Sequence, residues 1–78
     1  MDTFGERVRR LREMRYLSQA ELALKSGISK NTLNRIETEK AGAIPRTVRR
    51  LAAALDVEPG ALASMDELKE LRGNAHAA

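Results

Sequence analysis

SQAELALKSGISKNTLNRIE, residues 18–37, is the stretch on which the reading of this 78-residue chain turns. Ser18 is an N-cap candidate with Glu21 three residues beyond it, the spacing of a capping box. Leu22, with the small Ala20 and Ala23, supplies the inner face of a short helix. Gly27 stops that helix, because glycine enters the left-handed conformation that a helix end needs without steric cost. Ile28 follows as an apolar plug, and Ser29 caps a further helix that turns Leu33 and Ile36 inward. Two short helices around a tight glycine turn make a helix-turn-helix pattern, in which Ala20 and Ala23 are expected to let the helices cross closely. A plain helical hairpin gives the same pattern, so the flanks must decide.

Towards the N-terminus, Thr3 and Glu6 form a second capping box, and Phe4, Val8 and Leu11 recur on one helical face to about Arg15. Beyond Glu37, the segment from Thr38 to Ile44 contains Gly42 and reads as an exposed loop. Pro45 then suits the first turn of a fourth helix striped by Val48, Leu51, Ala52 and Leu55. Asp56-Val57-Glu58-Pro59 breaks that helix and opens a short fifth one bearing Leu62. Met65, Leu68 and Leu71 continue a helical period to about Arg72, and Gly73 to Ala78 reads as a frayed tail. No alternating run is long enough for a strand. The expectation is an all-α, compact five-helix domain over residues 1–64, with helix 2 about 18–26 and helix 3 about 29–37. A helical extension (65–72) and a disordered tail (73–78) complete it.

Composition narrows the function classes. No cysteine is present, which removes disulfides and thiolate metal sites. Met1 to Phe4 runs into alternating charge without an apolar h-region, and no span of eighteen apolar residues exists. A soluble, cytoplasmic protein without membrane contact is expected. The net charge is only +3, but residues 1–55 hold twelve Lys/Arg against six Asp/Glu, and residues 56–78 hold two against five. The basic part suits phosphate and the acidic end suits a surface turned away from it, although a solvated surface rich in arginine fits the same count. The single histidine, His76, has no ligand-spaced neighbour, and no nucleophile or second carboxylate accompanies Glu37. No enzyme, metal or cofactor is expected.

The run RVRRLREMRYLSQAELALKSGISKNTLNRIE followed by PRTVRRLAAALDVEPGAL resembles the phage repressor and Cro type (XRE-like) of helix-turn-helix domain, over roughly residues 4–63. Its most specific elements are Arg12, the run Ser18-Gln19-x-x-Leu22-Ala23, Gly27-Ile28-Ser29, Ile36-Glu37, and Leu51-Ala52-x-x-Leu55. The resemblance implies a lambda-repressor-like fold whose third helix lies in the DNA major groove and whose second crosses above the backbone. It also implies an ion pair between Arg12 and Glu37, and a phosphate gripped at Gln19, beside Ser18 in the first turn of helix 2.

The residues themselves point the same way. With Leu33 and Ile36 inward, Lys30, Asn31, Asn34 and Arg35 project outward. Asn pairs bidentately with adenine, and Lys or Arg with guanine. Lys30 and Asn31 are the foremost base readers, because the N-terminal end of such a helix reaches deepest. Thr32 and Ser29 fall close to a base or phosphate, and Arg35 suits either; a solvated helix face is the plainer alternative for each. The resemblance implies backbone contact from the loop before helix 4 and the start of that helix, so Arg46 is the foremost further phosphate contact and Arg10 the next; Arg9 is a secondary basic residue, and Arg49 and Arg50 read equally as solvated charges. Two departures from the family stand out: Tyr16 where members often have glycine, and a loop after Glu37 that runs long and lacks an early glycine.

The function so implied is a sequence-specific regulator of transcription, a repressor binding double-stranded DNA as a homodimer on a palindromic site. The competing expectation is an antitoxin or adaptor that binds a protein (a toxin or the transcription machinery) as well as or instead of DNA. The Met65, Leu68 and Leu71 stripe on an acidic helix would serve such a contact, or pack on its own domain.

Overall fold

Thr3, Ser18 and Ser29 each start a helix by the mechanism their side chains allow. The computed structural model describes residues 3–38 and 44–63, and these form α1 (Phe4–Met14), α2 (Gln19–Ser26), α3 (Lys30–Thr38), α4 (Pro45–Leu55) and α5 (Pro59–Leu62). The expected extension with Met65, Leu68 and Leu71, the tail with His76, and the loop around Gly42 lie outside the described residues.

Two starts are complete capping boxes. Thr3 Oγ1 accepts from the Glu6 amide at 3.1 Å while Glu6 Oε1 accepts from the Thr3 amide at 2.9 Å. Ser18 Oγ accepts from the Glu21 amide at 3.0 Å, and Glu21 Oε1 from the Ser18 amide at 2.8 Å. The Ser18 backbone N–H, then its hydroxyl, holds the Glu21 carboxyl below its ordinary value. At α3 the residue three beyond the cap is Thr32, so the closure differs: the Thr32 amide donates to Ser29 Oγ at 3.0 Å, and the Ser29 hydroxyl donates to Thr32 Oγ1 at 2.8 Å. Each such cap contributes about 1 kcal/mol to its helix.

Three helix ends use left-handed backbone, at Tyr16 (φ 55°), Gly27 (φ 75°) and Asp56 (φ 58°). The Tyr16 amide bonds to Glu13 O at 3.0 Å and the Leu17 amide to Arg12 O at 3.1 Å, the paired closure of a Schellman turn. Asp56 and Val57 repeat that pattern onto Ala53 and Ala52. Tyr16 therefore holds a left-handed conformation that glycine adopts without steric cost, at a cost of about 1–2 kcal/mol that the two bonds offset. Its side chain is 94% exposed, so packing within the described residues adds nothing to that offset.

The core gathers Phe4 and Val8 from α1, Leu22 from α2, Leu33 from α3, and Leu51 and Leu55 from α4, all buried. Leu62 of α5 closes it. Helix α1 packs on α3, and α2 packs on both α3 and α4. The expectation for Ala20 requires correction. Ala23 is buried, but Ala20 is exposed. In an eight-residue helix whose inner face is set by Leu22, Ala23 and Ser26, a residue two positions before Leu22 lies about 200° round the axis, on the solvent side.

A close helix approach lies elsewhere, at Gly5. A Cβ placed on Gly5 of α1 would sit 2.0 Å from the Ile36 carbonyl oxygen, so α1 rests on the backbone of α3 at the one position without a side chain. Ser26 is buried and satisfied locally, its hydroxyl donating to Leu22 O at 2.7 Å and to Ala23 O at 3.3 Å. The Gly5 approach sets how closely α1 and α3 pack.

Candidate nucleic-acid interface

Helix α3 is anchored from behind by Leu33 and Ile36, 0% and 9% exposed. Its opposite side is polar. Lys30, Asn31, Thr32, Asn34 and Arg35 are all exposed, as is the capping Ser29. The expected base-reading residues thus share one open face, which is what a side chain entering a groove requires. Arg10 lies on the exposed side of α1, and Arg46 is exposed in the first turn of α4, with Arg49 and Arg50 exposed further along it. Arg9 pairs with Glu13 at 3.3 Å on the solvent side of α1.

Between the anchored and open sides of α3 runs a chain of polar contacts. Arg12 grips Glu37 with two parallel bonds, Nε to Oε2 at 2.8 Å and Nη2 to Oε1 at 3.0 Å. Arg12 Nη1 donates to Leu17 O at 2.8 Å, which ties the α1–α2 turn to the same guanidinium. The two side chains are 11% and 2% exposed. The hydrogen bond to Glu37 raises the Arg12 pKa, and burial opposes that rise. The expected Arg12–Glu37 pair is therefore present, bidentate, and a bridge from helix 1 to helix 3. With three donors committed inward, Arg12 is a structural cation.

Gln19 occupies an unexpected place. Its Nε2 donates to Glu37 Oε1 at 3.1 Å and to Asn34 Oδ1 at 3.3 Å. The carboxamide nitrogen is thus spent inside the protein, joining the first turn of α2 to two residues of α3. Ser18 and Gln19 stand where the first amides of α2 lack intrahelical acceptors, a local preference for anions. Neither the Gln19–Asn34 contact nor the Gly5 approach is visible as spacing in the sequence. The Gln19, Asn34 and Glu37 residue types were the only available signal. Among the described residues no three His, Cys, Asp or Glu side chains converge as metal ligands would.

Comparison with known proteins agrees with this arrangement. Residues 8–62 match the helix-turn-helix family. Over 58 residues the chain is 45% identical to the HTH-type transcriptional repressor RghR of Bacillus subtilis, a match that takes in 73% of this chain and 43% of RghR. The chain thus spans less than half the length of that relative. Among solved structures, the restriction-modification controller protein C.AhdI of Aeromonas hydrophila superposes with a TM-score of 0.72 at 37% identity, covering 77% of this chain and 91% of its own. SinR, the master regulator for biofilm formation of Bacillus subtilis, solved in complex with DNA, gives 0.73 at 30% identity, covering 77% and 97%. Matched along most of its length by sequence and by fold, the chain belongs to the Cro/C1-type (XRE-like) helix-turn-helix family.

Proposed function

We propose that the protein is a cytoplasmic regulator of transcription that represses by laying α3 into the major groove of a specific double-stranded DNA site. The observation that carries this reading is the exposed row Lys30, Asn31, Asn34 and Arg35 on a helix held from behind by Leu33 and Ile36. Asn31 and Lys30, at the N-terminal end of α3, read base edges; Thr32, Asn34 and Arg35 complete the reading face. Family membership supports the reading, and so does the DNA complex formed by SinR.

Backbone contacts surround the reading helix. Ser29 and the first turn of α2, through the Ser18 hydroxyl and the Gln19 and Ala20 amides, meet phosphates, with Arg46 and Arg10 adding charge at the flanks. Because the Gln19 side chain is turned towards Glu37 and Asn34, its own share in phosphate binding comes through the backbone amide. One such helix reads only a few base pairs. A homodimer on a palindromic site doubles the contact, with half-sites about one helical turn, roughly 34 Å, apart. No catalytic role is assigned.

Selection of duplexes from a random pool, followed by affinity measurements over a range of salt, tests the proposal. The expected outcome is a two-fold symmetric motif whose affinity falls linearly in log–log form as salt rises. A pool that emerges without an enriched sequence overturns the reading.

A further inference from the structure

The polar chain behind α3 sets the polarity of one base-reading group, and this inference rests on the DNA reading above. Glu37 takes two hydrogen bonds from the Arg12 guanidinium and is a carboxylate, so both of its oxygens can only accept. The atom of Gln19 that faces Glu37 at 3.1 Å must therefore be the donor nitrogen, Nε2. That same nitrogen lies 3.3 Å from the Asn34 side chain, so the Asn34 atom facing it must be the acceptor, Oδ1. Each orientation follows from the previous one, beginning with an ion pair that has only one polarity. With Asn34 Oδ1 committed to Gln19, the Nδ2 amine is the group this exposed residue has left to offer outside the protein.

We infer that Gln19 is a positioning residue for Asn34, and that Asn34 reads DNA as a donor, selecting at the position it faces a base that offers an acceptor in the major groove. Guanine N7 and O6, adenine N7 and thymine O4 satisfy it; the exocyclic amine of cytosine does not. A freely turning asparagine would instead match donor or acceptor alike. Arg12 and Glu37, usually counted as a structural pair, thereby act on specificity through two intervening side chains without touching DNA.

The experiment is random-pool selection with the wild-type chain and two variants, each checked for an unchanged thermal transition. Asn34→Asp keeps an acceptor towards Gln19 but turns an acceptor towards DNA. It is expected to move the preference at one symmetric pair of positions to cytosine, whose major-groove polar group is the exocyclic amine alone, by about tenfold, and to leave the rest of the motif intact. Gln19→Ala releases Asn34 and should flatten the preference at those same positions while the others persist. A folded Asn34→Asp chain that enriches the wild-type motif, or nothing, overturns the inference. So does a Gln19→Ala chain that weakens every sequence equally and keeps the wild-type preference at those positions. A wild-type chain that enriches nothing instead overturns the DNA reading itself, so the two failures are told apart.

Discussion

The two sides of α3 obey different rules. On the inner side, Leu33 has no exposed surface, Ile36 very little, and Gly5 of α1 lies against the Ile36 carbonyl. On the outer side, Lys30, Asn31, Asn34 and Arg35 stand in solvent. Nine residues thus divide between holding the domain together and meeting what lies outside it, and Glu37 sits at the boundary, bonded to Arg12 of α1 and Gln19 of α2. The contrast teaches that a recognition face is precise only insofar as its back is fixed. Stability should respond to the inner side, and sequence preference to the outer.

Substitutions graded across the helix test that division. Leu33→Ala removes a fully buried side chain and should lower stability by about 3–4 kcal/mol, which for a domain of this size shifts Tm by roughly 15 °C in thermal unfolding. Gly5→Ala should cost about 2–3 kcal/mol in the same measurement, because the new methyl group meets backbone that cannot rotate away. Glu37→Ala strands the Arg12 charge and should cost about 2 kcal/mol in denaturant unfolding, and unlike Leu33→Ala and Gly5→Ala it should also blur the sequence preference. Asn31→Ala should leave unfolding within about 0.5 kcal/mol of wild type while losing about 1–2 kcal/mol at the preferred site in competition binding. Arg46→Ala should weaken all sequences alike and reduce the salt slope by about one unit. A large stability loss from Asn31→Ala, or a specificity change from Gly5→Ala in the folded fraction, would erase the distinction between the sides.

Most of this organisation is legible in the chain itself, because it is written in local chemistry. Capping pairs three residues apart, a stopping glycine and helical apolar spacing are short-range signals, so Thr3–Glu6, Ser18–Glu21, Gly27 and the α4 stripe all appear where the pattern puts them. The outward set on α3 follows from the inward pair by geometry alone. What escapes is what depends on distance in the chain. Ala20 passes for a core residue on composition, yet the direction of its helix sends it to solvent. Gly5 looks incidental until the backbone of α3 arrives beside it. Tyr16 as a residue type gives no sign of its left-handed backbone, since the turn is held by amides rather than by its side chain. The Gln19–Asn34 contact joins residues fifteen apart and is decided by how α2 and α3 dock.

Probing the enriched duplex with dimethyl sulfate, which reports guanine N7 in the major groove and adenine N3 in the minor, tests most directly whether the outer side of α3 does the reading. Two patches of protected guanine N7 are predicted about one helical turn apart, lost at single positions in Lys30→Ala, with adenine N3 still reactive. Protection confined to adenine N3, or N7 protection that Lys30→Ala leaves unaltered, would contradict the reading by α3.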